Sequence, residues 1–379
     1  MTRIRVAQMA SVLDGRSNSG TARVAYEIFS ELSKHDSVTQ TLIHFDDSDN
    51  DIYNHENITE LKLPYWNLPI ASRFFAFHYF IVRNFFSTKK NKLQFDICHW
   101  HVSRIYPFFW LFPAKKIILT MHDAGGYLLP GVNTFFTFIN KVTVKLNLRK
   151  ISKIIVVSEN AKYLLSKAAK IPQDKIVVIS NASCFSQLIS RAPLSINQKF
   201  IVCVSRWQRH KNVGNLVEGF AHFKTATESD IKLVLVGKPV GGFDEPLIKI
   251  NKLKLDDDII NLTDLADVEI AWLFDNAVLN IFPSLHEGFG LSVLEGIMRD
   301  CPAIVHKYTA TYEIAGAAGY AIDMNDPLEI SQALSELLIK NPNHLINLKN
   351  NCKYVSRKFN WEVSGKKLVD LYKNSMVSA

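Results

Sequence analysis

The stretch over residues 282–305, FPSLHEGFGLSVLEGIMRDCPAIV, constrains the fold most. An apolar strand at 277–282 ends at Pro283 and Ser284, and a polar, glycine-rich turn follows, His286-Glu287-Gly288-Phe289-Gly290. Leu291, Leu294 and Met298 then recur at helical spacing. The helix closes near Arg299 and Asp300, and Pro302 opens another apolar run. Open α/β folds bind phosphates at such strand–glycine turn–helix units. Small residues let the backbone approach, and the free amides at the start of a helix favour negative charge. Two carboxylates flank the unit, Glu287 in the turn and Glu295 on the helix. A buried, unpaired acid is costly, so two of them beside an anion site call for partners such as sugar hydroxyls.

The same alternation runs through the chain. Strands are expected at 4–9, 39–45, 95–100, 116–121, 153–158 and 175–179, with helices at 21–34 and 134–149. Serine, proline and polar residues over 182–198 read as a linker. A second series follows, with strands at 199–204, 231–236, 258–262, 277–282 and 303–306. One of its helices shows Leu216, Phe220 and Phe223 on one face; another spans 268–274 with Asp267 as N-cap, and helices continue to the end. A chain of 379 residues is long for one core. The fold class read from this pattern is α/β, with two Rossmann-like, doubly wound parallel-sheet domains at 1–190 and 191–360.

Ligands of such sheets bind outside the carboxyl ends of the strands. His99, His101, His122, Ser158 and Asn181 fall there in the first half, and Arg206, Arg209 and Lys211 in the second. No acid lies near those three cations in sequence, so a diphosphate would satisfy them. The loop at 14–20, ending in Gly20, either turns the chain or touches a phosphate or sugar. No helical H-x-x-x-H pair occurs, and the five cysteines form no CxxC, so no metal site and a reducing compartment are expected. The run Asp256-Asp257-Asp258 imitates a metal-binding DxD motif but precedes a strand, which suits a solvated turn.

Charge is unevenly placed. Residues 1–190 carry 23 Lys and Arg against 14 Asp and Glu, whereas 191–379 carry 21 against 22. The window 61–95 holds six basic residues, including Lys89, Lys90 and Lys92, and no acid. Its centre is dense in aromatics, among them Tyr65, Trp66, Phe75, Phe77, Tyr79, Phe80, Phe85 and Phe86, and 105–116 repeats the composition. Part of any such stripe is core. As a group it suits a helix lying on an anionic membrane surface. Nucleic acid is set aside because the aromatics are clustered rather than spaced along a basic groove. No signal peptide and no membrane-spanning run are expected, which places the chain in the cytoplasm, peripheral to the membrane.

The spacing Glu287–Glu295, within FPSLHEGFGLSVLE, resembles the E-x7-E motif of retaining glycosyltransferase family 4. Arg206 with Lys211-Asn212 is similar to that family's R…KN element, and segments 96–101 and 119–123 resemble its first-domain histidine segments. The resemblance implies a GT-B fold, two Rossmann-like domains facing across a cleft, with a terminal helix at 361–379 returning to the first domain. It implies transfer of a hexose-type sugar, with retention and without a metal or other cofactor, from a UDP- or GDP-sugar to a lipid-linked glycan acceptor in bacterial surface polysaccharide or lipopolysaccharide synthesis. It also implies site roles. Arg206 and Lys211 would neutralise the diphosphate, and Gly288, Phe289, Gly290, Leu291 and Ser292 would line it. Glu287 would hold sugar hydroxyls and Glu295 the ribose, while His122 and Gly20 would contribute from the first domain. A GT-B epimerase or phosphorylase, or a non-catalytic nucleotide-sugar-binding protein, remains an alternative at this point.

Overall fold

The computed structural model describes residues 3–13, 20–45, 52, 55, 57–63, 72–88, 92–101, 106, 108–123, 125, 135–194 and 196–377. The polar part of the 14–20 loop before Gly20, Tyr65, Trp66, Lys89 and Lys90 lie outside the described residues. The chain divides into two compact units, one of residues 1–181 with 361–379, the other of 182–360.

The first unit is built on a seven-stranded parallel sheet. Its strands are β1 (Ile4–Met9), β2 (Val38–Phe45), β3 (Ile58–Leu63), β4 (Phe95–Trp100), β5 (Ala114–Met121), β6 (Ile151–Val156) and β7 (Ile176–Val178), in the order β3-β2-β1-β4-β5-β6-β7. Helices α1 (Gly20–Ser33), α2 (Ser72–Phe86), α3 (Phe135–Leu146) and α4 (Glu159–Ala169) connect them. Central strands are continuous apolar runs because both faces are covered. Strand β3 escaped the sequence reading for the opposite reason. It is an edge strand, ITELKL, whose ends Ile58 and Leu63 are buried while Glu60 and Lys62 face outward.

The second unit carries a six-stranded parallel sheet. Its strands are β8 (Phe200–Val204), β9 (Lys232–Val236), β10 (Ile259–Leu262), β11 (Asn280–Phe282), β12 (Ala303–His306) and β13 (Gly319–Ile322), in the order β10-β9-β8-β11-β12-β13. Its helices are α5 (Val213–Thr227), α6 (Glu245–Lys252), α7 (Asp267–Asn276), α8 (Leu291–Ile297), α9 (Ala310–Ala315), α10 (Pro327–Ser335) and α11 (Pro342–Ser356). Strand β13 was also unforeseen: four residues, GYAI, at a sheet edge carry little period. Asp267 is the first residue of α7 rather than its cap, and Glu269 Oε2 accepts the Ala266 amide at 2.8 Å.

The segment read as a linker is packed onto this unit. Phe185 is buried with its ring 6.3 Å from that of Phe274, and the Arg299 guanidinium donates to the carbonyls of Phe185 (3.1 Å) and Leu188 (3.0 Å). Its serines and prolines signalled irregular backbone correctly but said nothing of the aromatic anchor.

Helix α12 (Trp361–Val377) belongs to the first unit, where it packs against α1. Ser364 Oγ donates to the Ser180 carbonyl at 2.7 Å, and Tyr372 is fully buried.

Candidate functional site

Strand order reverses between β8 and β11 in the second unit, and such switch points open a crevice at the carboxyl edge. The loops leaving these two strands are 205–212 and 283–290, which carry the basic run and the glycine-rich turn. Neither loop floats. Trp207 is buried between the two arginines, and its backbone exchanges bonds with Lys238 and Val240, both 3.0 Å. Gly237 beneath it has φ +148°, and a Cβ there would lie 2.0 Å from the Ser205 carbonyl oxygen. Asn212, with φ +58°, donates from Nδ2 to the Met324 carbonyl at 2.6 Å. The glycine-rich turn is tied to the same loop, because the Leu285 amide and Ser284 Oγ both donate to the His210 carbonyl, at 2.8 and 3.3 Å.

This packing joins Lys211 to Glu287. Their Nζ and Oε1 atoms are 2.5 Å apart, and both side chains are largely shielded from solvent. The sequence reading found no acid near Lys211, since its partner is 76 residues away. Lys211 therefore already carries a counter-charge, and also lies 5.6 Å from the Phe282 ring centre. Arg206 and Arg209 are exposed and have no carboxylate partner among the described residues. The loop thus presents two guanidinium groups without a carboxylate partner among the described residues and an ammonium shared with a carboxylate.

Gly290 caps α8 with φ +100°, a backbone state that side chains disfavour. A Cβ there would come within 2.6 Å of Thr311 Cγ2. Thr311 is fully buried, and its hydroxyl shares a 2.6 Å bond with that of Thr309. Leu291 and Ser292 open the helix, so their amides have no preceding turn to bond. The Ser292 hydroxyl is buried without a hydrogen-bond partner among the described residues. Phe289 is core, edge-on to Phe359 at 5.7 Å, so only its backbone is free to face a ligand. Glu295 is buried on the inner face of α8. Asp258, from the DxD-like run, pairs with Lys224 (2.8 Å) and Lys232 (3.2 Å), which hold its carboxyl below the usual range against the effect of burial.

In the first unit the order reverses between β1 and β4. Gly20 is the exposed first residue of α1. The three histidines cluster at the ends of β4 and β5 and stay neutral. Burial lowers His99 to about 3, with neighbouring His122 adding to it. It lowers His101 well below its ordinary value, with His99 and His122 adding to it, and lowers His122 as well against the opposing pull of the His101 carbonyl and Asp123. Their partners define tautomers. His122 Nε2–H donates to the His101 carbonyl at 3.1 Å, leaving Nδ1 as a lone-pair acceptor. His101 Nε2–H donates to Gln8 Oε1 at 2.7 Å. Gln8 Nε2 donates to Gln40 Oε1 (3.2 Å) and to the Tyr372 hydroxyl (3.4 Å). That leaves the Tyr372 proton for His99 Nδ1 at 2.6 Å, and His99 Nε2–H for Thr120 Oγ1 at 2.7 Å. Of the candidate histidines, His99 and His101 are thus buried scaffold, and His122 is the half-buried one. Tyr372 escaped the sequence reading because its partners lie more than 270 residues away.

The profile described as "Glycosyltransferase Family 4" matches residues 18–182, and that described as "Glycosyl transferases group 1" matches 186–359. The O-antigen chain mannosyltransferase B of Escherichia coli is 25% identical over 59% of this chain and 61% of its own length. The O-antigen chain mannosyltransferase RfbU of Salmonella typhimurium is 21% identical over 58% of this chain and 60% of its own. The chain thus spans about six-tenths of the length of the curated relatives it matches. Among solved structures, the sucrose-phosphate synthase of Thermosynechococcus elongatus superposes over all of both chains with TM-score 0.77 and 16% identity. Anabaena Alr3699/HepE in complex with UDP-glucose superposes over 98% of this chain and 100% of its own, with TM-score 0.72 and 15% identity. At such identities the likeness concerns the fold. With two profiles covering nearly the whole chain and GT-B neighbours for both sheets, the chain belongs to the GT-B glycosyltransferases of the family 4 type.

Proposed function

We propose that this protein is a retaining glycosyltransferase that moves a hexose-type sugar from a nucleotide-diphosphate sugar to a glycan acceptor. The observation that carries the reading is the Lys211–Glu287 pair placed at a strand-order reversal beside the free charge of Arg206. A diphosphate supplies the anion that Arg206 and Arg209 lack, and draws on Lys211 as the bond from the sugar to phosphate breaks. A sugar hydroxyl can then donate to Glu287, replacing charge that Lys211 gives up to phosphate. Gly288, Gly290 and the amides of Leu291 and Ser292 add hydrogen bonds, and Glu295 serves the ribose. His122, neutral with an open Nδ1, accepts a bond from a hydroxyl rather than donating one. No side chain here is an obvious covalent nucleophile, which favours front-face attack: the acceptor oxygen bonds to the anomeric carbon on the side the diphosphate leaves, and its proton passes to the departing phosphate. Cationic side chains perform the charge neutralisation, so metal-independent turnover belongs to the proposal.

The acceptor is read as lipid-linked and the pathway as O-antigen or lipopolysaccharide-type glycan assembly. The names of the bacterial relatives and the basic, aromatic surface of the first unit support this. The protein then works at the inner face of the membrane.

Calorimetric titration with UDP, GDP and their sugars tests the donor. Arg206→Ala is expected to weaken nucleoside-diphosphate binding by at least about tenfold, on the scale of a lost charge-assisted bond. Glu287→Ala is expected to lower sugar transfer or donor hydrolysis by orders of magnitude with the fold intact. Unchanged diphosphate affinity in the first variant, or near-normal turnover in the second, contradicts the assignment. Retention is read from the anomeric configuration of the product, and release of a sugar phosphate, or of a free sugar epimerised relative to the donor, would favour a phosphorylase or an epimerase.

A further inference from the structure

The two aromatic windows of the sequence meet in one place. Helix α2 turns Ala76, Phe77, Phe80 and Ile81 into the core and leaves Phe75, Tyr79, Val82, Phe85 and Phe86 outside, the last 80% exposed. The turn at 108–112 does the same, burying Phe109 and Phe112 and exposing Phe108 and Leu111. Between the end of α2 and this turn runs a groove of about 590 Å³, walled by Val82, Phe85, Phe86, Phe95, Leu111 and Phe112. Its charged lining groups are Lys92 and Lys115, with no acid among them. Lys115 is held by Asp96 at 2.9 Å. Lys92 lies 5.3 Å from the Phe85 ring centre and has no carboxylate partner among the described residues. Arg83, exposed on the same turn of α2, has none either.

An exposed apolar groove with cations at its rim fits an amphiphile with an anionic head. We propose that this groove seats one acyl chain of an anionic bilayer phospholipid, with Lys92 on the headgroup phosphate. The proposal deepens the membrane part of the reading above and rests on it only for the presence of a membrane. The two exposed faces of the groove, Phe85–Phe86 and Leu111, would then sit below the headgroups, where leaving water favours them. Lys92 and Arg83, without a carboxylate partner among the described residues, argue for phosphate.

The test uses the full chain with vesicles of phosphatidylcholine containing a phosphatidylglycerol whose acyl tail carries a diazirine, followed by peptide mapping of the cross-links. Label is expected in both 81–95 and 108–115, and several-fold less with a tail-diazirine phosphatidylcholine alone. Lys92→Glu, at a half-buried side chain, and Phe86→Asp, at an exposed one, are each expected to reduce the label several-fold. Label confined to Phe138, Val142 and Leu146 of α3, or no vesicle association, overturns the proposal. So does displacement of the label by a polyprenyl phosphate but not by unlabelled phosphatidylglycerol, which would give the groove to the acceptor's chain. Nucleoside-diphosphate binding is measured in parallel. If it persists while labelling fails, only the lipid seat is lost. If it is absent in the wild type while labelling holds, the donor reading falls and the lipid seat stands.

Discussion

Gly290 shows how one residue can set the geometry of the whole glycine-rich turn. Its φ of +100° ends the turn that carries Glu287 and starts α8, and Thr311 closes the space a side chain would need. Gly290→Ala is expected to cost about 1–3 kcal/mol through the strained backbone and the collision together. Nucleoside-diphosphate affinity should fall with it. Thr311→Ser removes the colliding methyl and should recover part of the stability in a thermal melt of the double variant. A fully stable Gly290→Ala would show that the turn relaxes freely. At this scale the sequence was informative about types and silent about partners. The E-x7-E spacing marked Glu287 and Glu295, yet nothing local announced the ion pair with Lys211, the buried Trp207 that stiffens the basic loop, or Phe289 turning inward. Each depends on a residue brought in by the fold.

Among elements, central strands and amphipathic helices could be read directly, because burial on one or both faces imposes the period that sequence reading detects. Strands β3 and β13 lie at sheet edges, where half of that pressure is missing. For helix α2 the sequence implies that part of the aromatic stripe is core without saying which part, since aromatics at adjacent positions serve both faces; the buried side is Ala76, Phe77, Phe80 and Ile81. Helix α12 is the element whose role was hardest to see. Its Tyr372 hydroxyl takes a bond from Gln8 and gives one to His99, so the helix finishes a polar layer that runs through β1, β2, β4 and β5. Tyr372→Phe keeps the packing and removes the relay. It is expected to destabilise the protein by about 1–3 kcal/mol, because buried Gln8 and His99 lose a partner. Chemical denaturation would measure this; no loss of stability would mean that the layer rearranges around the missing hydroxyl.

For the molecule as a whole, two parallel sheets follow from the alternation of elements, with strand-order reversals at β1/β4 and β8/β11; the second unit's candidate residues leave the strands at its reversal, whereas in the first His101 follows β4 and His122 follows the adjacent β5. In the first unit burial disfavours the charged form of His99, His101 and His122. His99 faces Tyr372, Thr120, His101 and His122, with no acid in direct contact, and its value of about 3 lies below the ordinary 6.5. A depressed histidine means that the unfolded chain binds more protons between those two values. Stability therefore falls as pH drops from about 6.5 toward 3, by up to about 1.4 kcal/mol per pH unit for each such group. Melting temperature followed downward from neutral pH should decline through that window and decline less in His99→Gln; a flat profile would contradict the buried neutral state. A different consequence follows from the place of α12 in the chain order. Residues 182–360 are all synthesised before the helix that completes the first unit, so that unit leaves the ribosome with Gln8 and His99 still waiting for Tyr372. The half of the protein made first is thus finished last.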